Sequence, residues 1–293
     1  MVGGIRLAYV SARARRRGSG LALLALLLMT ATARAGESSE ASTSEATQAE
    51  SRRSIPLAKI DPQFRPAVAA VIAEPTIFRR MPTSVVDCRP ELFTFLAQNP
   101  EVMVEIWRHL GVSQVTLTRI DERTCKISDG AGTTGTIIVV EQTCEEGAQN
   151  RIVMLASGSF NGKPFQQPIS AQCVFVLTSG SKEETNGRRF VAARLDAFIK
   201  LDRMSLALVA KAVHPFVGQT ADRNFTDTML FVSNLSYTAE KRPEAIEQVA
   251  IDMKNLDQPR RQGLIKAAYQ CAEAGRQWEM SRAQQASLET TSR

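Results

Sequence analysis

Three turn pairs, Asp129-Gly130, Asn161-Gly162 and Asn186-Gly187, sit between runs rich in Val, Ile, Thr and Phe. Asp or Asn followed by Gly tolerates the positive φ of a tight hairpin, so each pair turns the chain back antiparallel to itself. A parallel sheet would need a crossover of a dozen or more residues at each of these places. The flanking alternation predicts strands over 112–120, 123–128, 134–143, 151–159, 170–179 and 188–201, an antiparallel meander. The last run alternates Val191, Ala193, Leu195, Ala197, Ile199 and Leu201 against Arg194, Asp196 and Lys200. At about 3.3 Å per residue it reaches roughly 40 Å, long enough to need a bend or bulge.

Helical spacing brackets the meander. After a short β-branched run at 83–88, Pro90 takes a first-turn position, and Leu92, Phe93, Phe95 and Leu96 give an apolar face. Asn99-Pro100-Glu101 starts a second helix whose Val102, Met103, Ile106, Trp107 and Leu110 repeat until Gly111. Downstream, Met204, Leu208, Val209, Ala212, Val213, Phe216 and Val217 form one stripe, and Phe225, Met229, Val232 and Leu235 a second, with Pro215 and Gly218 at the break. Further helices are expected from Pro243, using Ile246, Val249, Ala250 and Met253, and over 259–271.

The termini read differently. Arg13, Arg15, Arg16 and Arg17 precede the apolar run Leu21 to Met29, and Ala33-Arg34-Ala35 follows, the pattern of a cleavable export signal over 1–35. A run of about nine residues is far short of the roughly twenty that span a bilayer. The mature protein is therefore expected outside the cytoplasm, periplasmic or extracellular, beginning near Gly36. The leader carries six of the 36 basic residues and none of the 30 acidic ones, leaving 30 against 30. A neutral mature chain lacks the field that draws proteins to phosphate, so nucleic acid is not an expected partner. The Ser/Thr/Glu/Ala tract 36–54 reads as a disordered tether, and 55–82, with Pro56, Pro62, Pro66, Pro75 and Pro82, as an extended or irregular segment in which 67–73 is open to a short helix. The single domain is expected over 83–274 and a flexible tail over 275–293.

Catalytic signatures are scarce. The histidines are His109 and His214, with no H-x-x-x-H or C-x-x-C spacing, so neither a metal nor a cofactor is expected. Gly130, Gly132 and Gly135 belong to a hairpin, not to a phosphate loop. Glu141, Glu145 and Glu146, and Asp222, Arg223 and Asp227, read as solvated faces rather than acid–base groups. Of five cysteines, two-residue turns would place Cys144 and Cys173 on either side of residue 150, about 10 Å apart and beyond disulfide reach. Buried thiols are expected, with a Cys88–Cys271 bridge left open. Asn224-Phe-Thr and Asn234-Leu-Ser match the glycosylation pattern but lie in helical sequence.

The order strand, two helices, six antiparallel strands and a long helix resembles the helix-grip fold of the START-like superfamily, which includes polyketide-cyclase-type and lipid-transfer proteins. Val85-Val86-Asp87-Cys88-Arg89-Pro90-Glu91-Leu92-Phe93 is similar to that family's approach to its first helix. The resemblance spans roughly 83–240. It implies an α+β fold in which a curved antiparallel sheet of about seven strands grips a long C-terminal helix around an apolar cavity; the extra C-terminal helices depart from it. Phe93, Trp107, Phe175, Leu195, Ile199, Phe225 and Met229 are the candidate cavity lining, with ordinary core packing as the competing reading. The expected function is an exported, non-catalytic envelope protein that binds a lipid or other apolar ligand, with peripheral association with the cell envelope open to it. A polyketide-cyclase-like enzyme and an interaction module with a filled core are the alternatives.

Overall fold

The computed structural model describes residues 40–144, 149–162, 168–202 and 215–291. The leader 1–35, the stripe from Met204 to Val213, His214, Glu145 and Glu146 lie outside the described residues. One curved antiparallel sheet contains β1 (Ile77–Arg80), β2 (Ser84–Asp87), β3 (Thr116–Arg119), β4 (Thr124–Ser128), β5 (Thr133–Thr143), β6 (Asn150–Phe160), β7 (Ile169–Glu183) and β8 (Arg189–Leu201). Its path is β1-β8-β7-β6-β5-β4-β3, open at both ends, with β2 also pairing β8. The two short strands share one edge of β8, β1 opposite Asp196 to Ile199 and β2 opposite Phe190 to Ala193.

Two of the three turn pairs close tight hairpins. Gly130 and Gly187 take φ of 67° and 76°, the left-handed region that only glycine enters at no steric cost. Asp129 and Asn186 brace these turns by accepting backbone N–H bonds from Ala131 and Arg188, each at 2.8 Å. The third pair behaves otherwise: β6 ends at Phe160 and β7 begins at Ile169, which pair with each other, so Asn161-Gly162 opens a longer connection. Cys173 consequently pairs with Ala156, six residues from the position a two-residue turn would give it. The meander's irregularity lies in β5, between Val139 and Glu141, whereas β8 pairs with β7 without a break.

Alternation gives the sheet two apolar faces, and helices cover both. One face meets α3 (Pro90–Gln98), α4 (Pro100–His109), α5 (Pro215–Lys241), α6 (Pro243–Asp252) and α7 (Gln258–Thr291) in the largest core cluster. Phe225 and Met229 of α5 pack there with Val191, Ala193 and Ala197 of β8. On the other face Val153, Leu155, Val174, Val176 and Phe198 are buried against Val68, Val71 and Ile72 of α2 (Arg65–Ala73). Among the described residues no helix is long and apolar enough to cross a membrane.

Both tails are more ordered than their polarity suggests. Within the expected tether, Glu45–Ser54 forms α1, capped by the Ser44 side chain accepting from Thr47 N–H, with Glu45 in the first turn and Arg52 and Arg53 in the last. The helix is held by polar contacts: Glu50 meets Arg80, and Arg52 donates to the Ala73 carbonyl. The segment 55–82 holds α2 where a short helix over 67–73 was open, and adds a 3-10 turn (Leu57–Lys59) and β1 that were not expected. At the other end α7 runs to Thr291, well past the expected stop at 271. Leu264, Ala267, Ala268, Cys271 and Ala272 bury one of its sides. Trp278 then docks on the β7–β8 turn, donating to the Asn186 carbonyl at 2.8 Å beneath the Arg188 guanidinium.

Candidate functional site

The position of α5 defines the site. One flank of the helix faces the β1–β2 edge, where Asp222 pairs with Arg79, Ser233 donates to the Asp87 carbonyl at 2.9 Å, and Ser236 accepts the Arg89 N–H at 3.0 Å. Glu240, at the end of this flank, accepts from Arg188 at 2.8 and 3.0 Å. Ala221, Phe225 and Val232 follow at helical spacing and enter the core. Asn224, Thr228, Phe231 and Leu235 make the opposite flank, turned away from β1 and β2. Its Phe231 meets Trp107 of α4 edge-on at 6.0 Å and 71°.

Because α4 packs on β3 at the far side of the sheet, the middle strands lie between α4 and α5. Their two faces differ sharply in burial. On the α2 side Val153, Leu155, Val174, Val176 and Phe198 are closed off from solvent. On the helix side Ile137, Met154, Phe175, Leu177 and Leu195 of β5 to β8 are half-buried, beside the buried Ile152, Ala156 and Ala197 of the same face. The register sets them side by side, Met154 opposite Phe175 and Leu177 opposite Leu195. The result is an apolar strip, the trough, that runs along the sheet between α4 and α5 and packs in part against the helical core.

The seven candidate lining residues separate in three ways. Phe175 and Leu195 lie on the trough floor. Ile199 is buried farther along the same face with Ala156, Ala171 and Cys173. Phe93, Trp107, Phe225 and Met229 belong to the large core, packed by neighbouring side chains. Phe93 also borders a surface cleft of about 660 Å³ with Phe95, Ser179 and Val191, the strand residues being close along the sheet to Leu177 and Leu195. Ile137, Met154 and Leu177 escaped the sequence reading, although their alternation within β5, β6 and β7 carried the signal.

The acidic groups have distinct surroundings. Glu141 is pushed up by burial but held below the ordinary carboxylate range by hydrogen bonds from Arg151 and Thr143, which suits an ion pair and not an acid catalyst. Asp222 is committed to Arg79. Asp227, one turn from both Arg223 and Phe231 on α5, is shifted up by burial, with Arg223 opposing, and its Oδ2 is buried without a hydrogen-bond partner. Asn224 is 1% exposed, which excludes glycosylation in the folded protein, and neither atom of its side-chain amide has a partner. Among the described residues no three His, Cys, Asp or Glu side chains converge as a metal site.

The cysteines are free thiols. Burial pushes Cys88, Cys173 and Cys271 up to about 12 and Cys125 up to about 11, so none supplies a thiolate nucleophile near neutral pH. Cys144 alone is half-exposed, with Cys88 and Cys271 both beside Ser236. At pH 8 a colorimetric disulfide reagent should therefore react with one thiol in the native protein and with all five after denaturation. Rapid reaction of a second native thiol would contradict the buried placement. A scan against protein-family models and a search of curated proteins return no match to this chain.

Proposed function

We propose that this protein is a non-catalytic binder of a lipid or similar apolar molecule, working outside the cytoplasm, and that the trough between α4 and α5 is its site. The supporting observation is the asymmetry of the middle strands, sealed on the α2 side and half-open on the helix side over adjacent apolar residues. An apolar surface flanked by helices and left half-buried suits an apolar ligand better than water. The sheet path and the long helix laid across it also have the order that the START-like resemblance implies. Catalysis is a weaker reading because, among the described residues, this flank of α5 offers one carboxyl, Asp227, with no histidine beside it.

Native mass spectrometry of the mature protein before and after solvent extraction tests the reading. A lipid-sized mass increment that extraction removes is the expected result. Leu195→Glu should abolish the increment while preserving the circular dichroism spectrum, since the side chain is half-buried and its charge can reach water. No increment, together with no thermal shift across a lipid panel, would favour the interaction module with a filled core. Location is checked separately by fractionation, where a full-length cytoplasmic form would overturn the export reading.

A further inference from the structure

The cleft between α3 and the end of the sheet has a polar lining, in contrast with the apolar residues of the trough. It encloses about 660 Å³, within the range of small-molecule sites. Its floor is the row Ser179, Ser181 and Glu183 of β7, flanked by Asn150 of β6 and by Arg189 and Val191 of β8. The register keeps these side chains on one face: Ser179 lies opposite Asn150, Ser181 opposite Val191 and Glu183 opposite Arg189. The wall is one side of α3, where Glu91, Thr94, Phe95 and Gln98 recur at helical spacing. Wall and floor approach each other at both ends, through Glu91 and Arg189 at 3.9 Å and through the Gln98 amide and the Cys144 thiol.

Ser179 points to a ligand. It is 7% exposed, and its hydroxyl has no hydrogen-bond partner among the described residues. Buried hydroxyls are almost always matched, and Ser179 borders the cleft, so a partner can reach it from that side. Ser181 and Thr94 also bring hydroxyls free of partners among the described residues. A hydroxyl donates one bond and accepts up to two, and an amide such as that of Gln98 does both. The charges in the cleft discourage an ion of either sign. Glu91 and Glu183 together oppose an anion, while Arg189, bonded to Glu183 at 3.1 Å, opposes a cation. Phe93, Phe95 and Val191 add an apolar patch. A lining of this kind suits a molecule with hydroxyls around its edge and C–H groups on its faces.

We infer that the cleft binds an uncharged saccharide unit, whose hydroxyls exchange hydrogen bonds with Ser179, Ser181 and Thr94 while one face of the ring rests against Phe95. The inference does not depend on the trough. A free saccharide and the glycosyl head of a lipid share this chemistry. In the second case the chain has a short path into the trough, since Leu177 is the next residue of β7 on the same face as Ser179.

Saturation-transfer NMR of the mature protein with maltose, cellobiose and N-acetylglucosamine tests the site. At least one of the three should bind with a Kd in the millimolar range or below, and the charged sugars glucuronate and glucosamine should bind more weakly. Ser179→Ala should weaken binding about threefold to tenfold, the scale of one neutral hydrogen bond. Its melting temperature should hold or rise, because the hydroxyl removed has no protein partner, whereas a structural role would lower it. Ser181→Trp, at an exposed strand position that accepts an aromatic side chain, should fill the cleft and abolish binding, which keeps the test open if the alanine variant misfolds. Dodecyl maltoside below its micellar concentration separates the two sources. Binding about tenfold or more tighter than maltose, with the gain erased by Leu195→Glu, assigns the saccharide to a lipid head; binding equal to maltose and indifferent to Leu195→Glu assigns it to a free sugar. No signal from any of the three neutral sugars, a signal that survives Ser181→Trp, or tighter binding of either charged sugar would overturn the saccharide site and leave the trough reading standing.

Discussion

Asp196→Ala is expected to cost about 3–5 kcal/mol, the scale for stripping one partner from a buried, hydrogen-bonded ion pair. Asp196 is 1% exposed and accepts two bonds from Arg80, both at 2.8 Å, while the third branch of that guanidinium reaches Glu50 of α1. A guanidinium is effectively always protonated in proteins, so the arginine remains charged when its partner is lost. The cation would then keep only the largely exposed Glu50 while its other two nitrogens face the core of the α2 side without a partner. At about 2–4 °C per kcal/mol for a chain of this size, the melting temperature should fall by roughly 6–20 °C. Asp196→Asn, which keeps an acceptor in place, should lose less than the alanine variant. A shift below about 2 °C in both would show that the pair is peripheral to stability.

Removing α1 and α2 together, by starting the chain at Pro75, should have a still larger effect. The deletion uncovers Val153, Leu155, Val174, Val176 and Phe198, side chains whose burial contributes about 1.5–3 kcal/mol each. Their sum rivals the roughly 5–15 kcal/mol that separates a folded domain from its unfolded chain. The truncated protein should be insoluble, or should lack a cooperative thermal transition. A soluble truncation with the melting temperature of the longer protein would show that the N-terminal layer is dispensable. An intermediate truncation at Ile55 isolates α1, whose contribution is polar and correspondingly smaller.

What the sequence made legible was whatever repeats with a short period. Alternation located every strand of the meander, and proline and asparagine starts located α3 and α4, because these signals report local geometry directly. The N-terminal helix carried no such signal. Its residues EATQAESRRS are polar throughout, and α1 owes its place to a Ser44 cap and to the contact of Glu50 with an arginine thirty positions along the chain. The β6–β7 register failed for a related reason, since Asn161-Gly162 has hairpin chemistry but the pairing is set by the apolar rows of the two strands. In the site, Phe175 and Leu195 could be read from alternation. The burial of Asn224 could not: in sequence it resembled a glycosylation acceptor, and only the assembled helix and sheet close it off.

The arrangement of β1, β2 and β3 bears on how this protein avoids its own kind. A long, unpaired strand invites another chain to add to it, and sheets that end in such strands aggregate. Here each rim of the sheet is made of strands only four residues long. Arg80 of β1 already exchanges backbone hydrogen bonds with Ser42, and β3 lies under α4 with Arg119 bound to Glu101. The long strands β6 to β8 lie inside the sheet, and β5 is covered by β4 over Thr134 to Ile138. Edge-to-edge growth therefore finds only short stretches from which to start, the four-residue strands at the rims and the end of β5 beyond Val139, which keeps the sheet from becoming a seed for fibres.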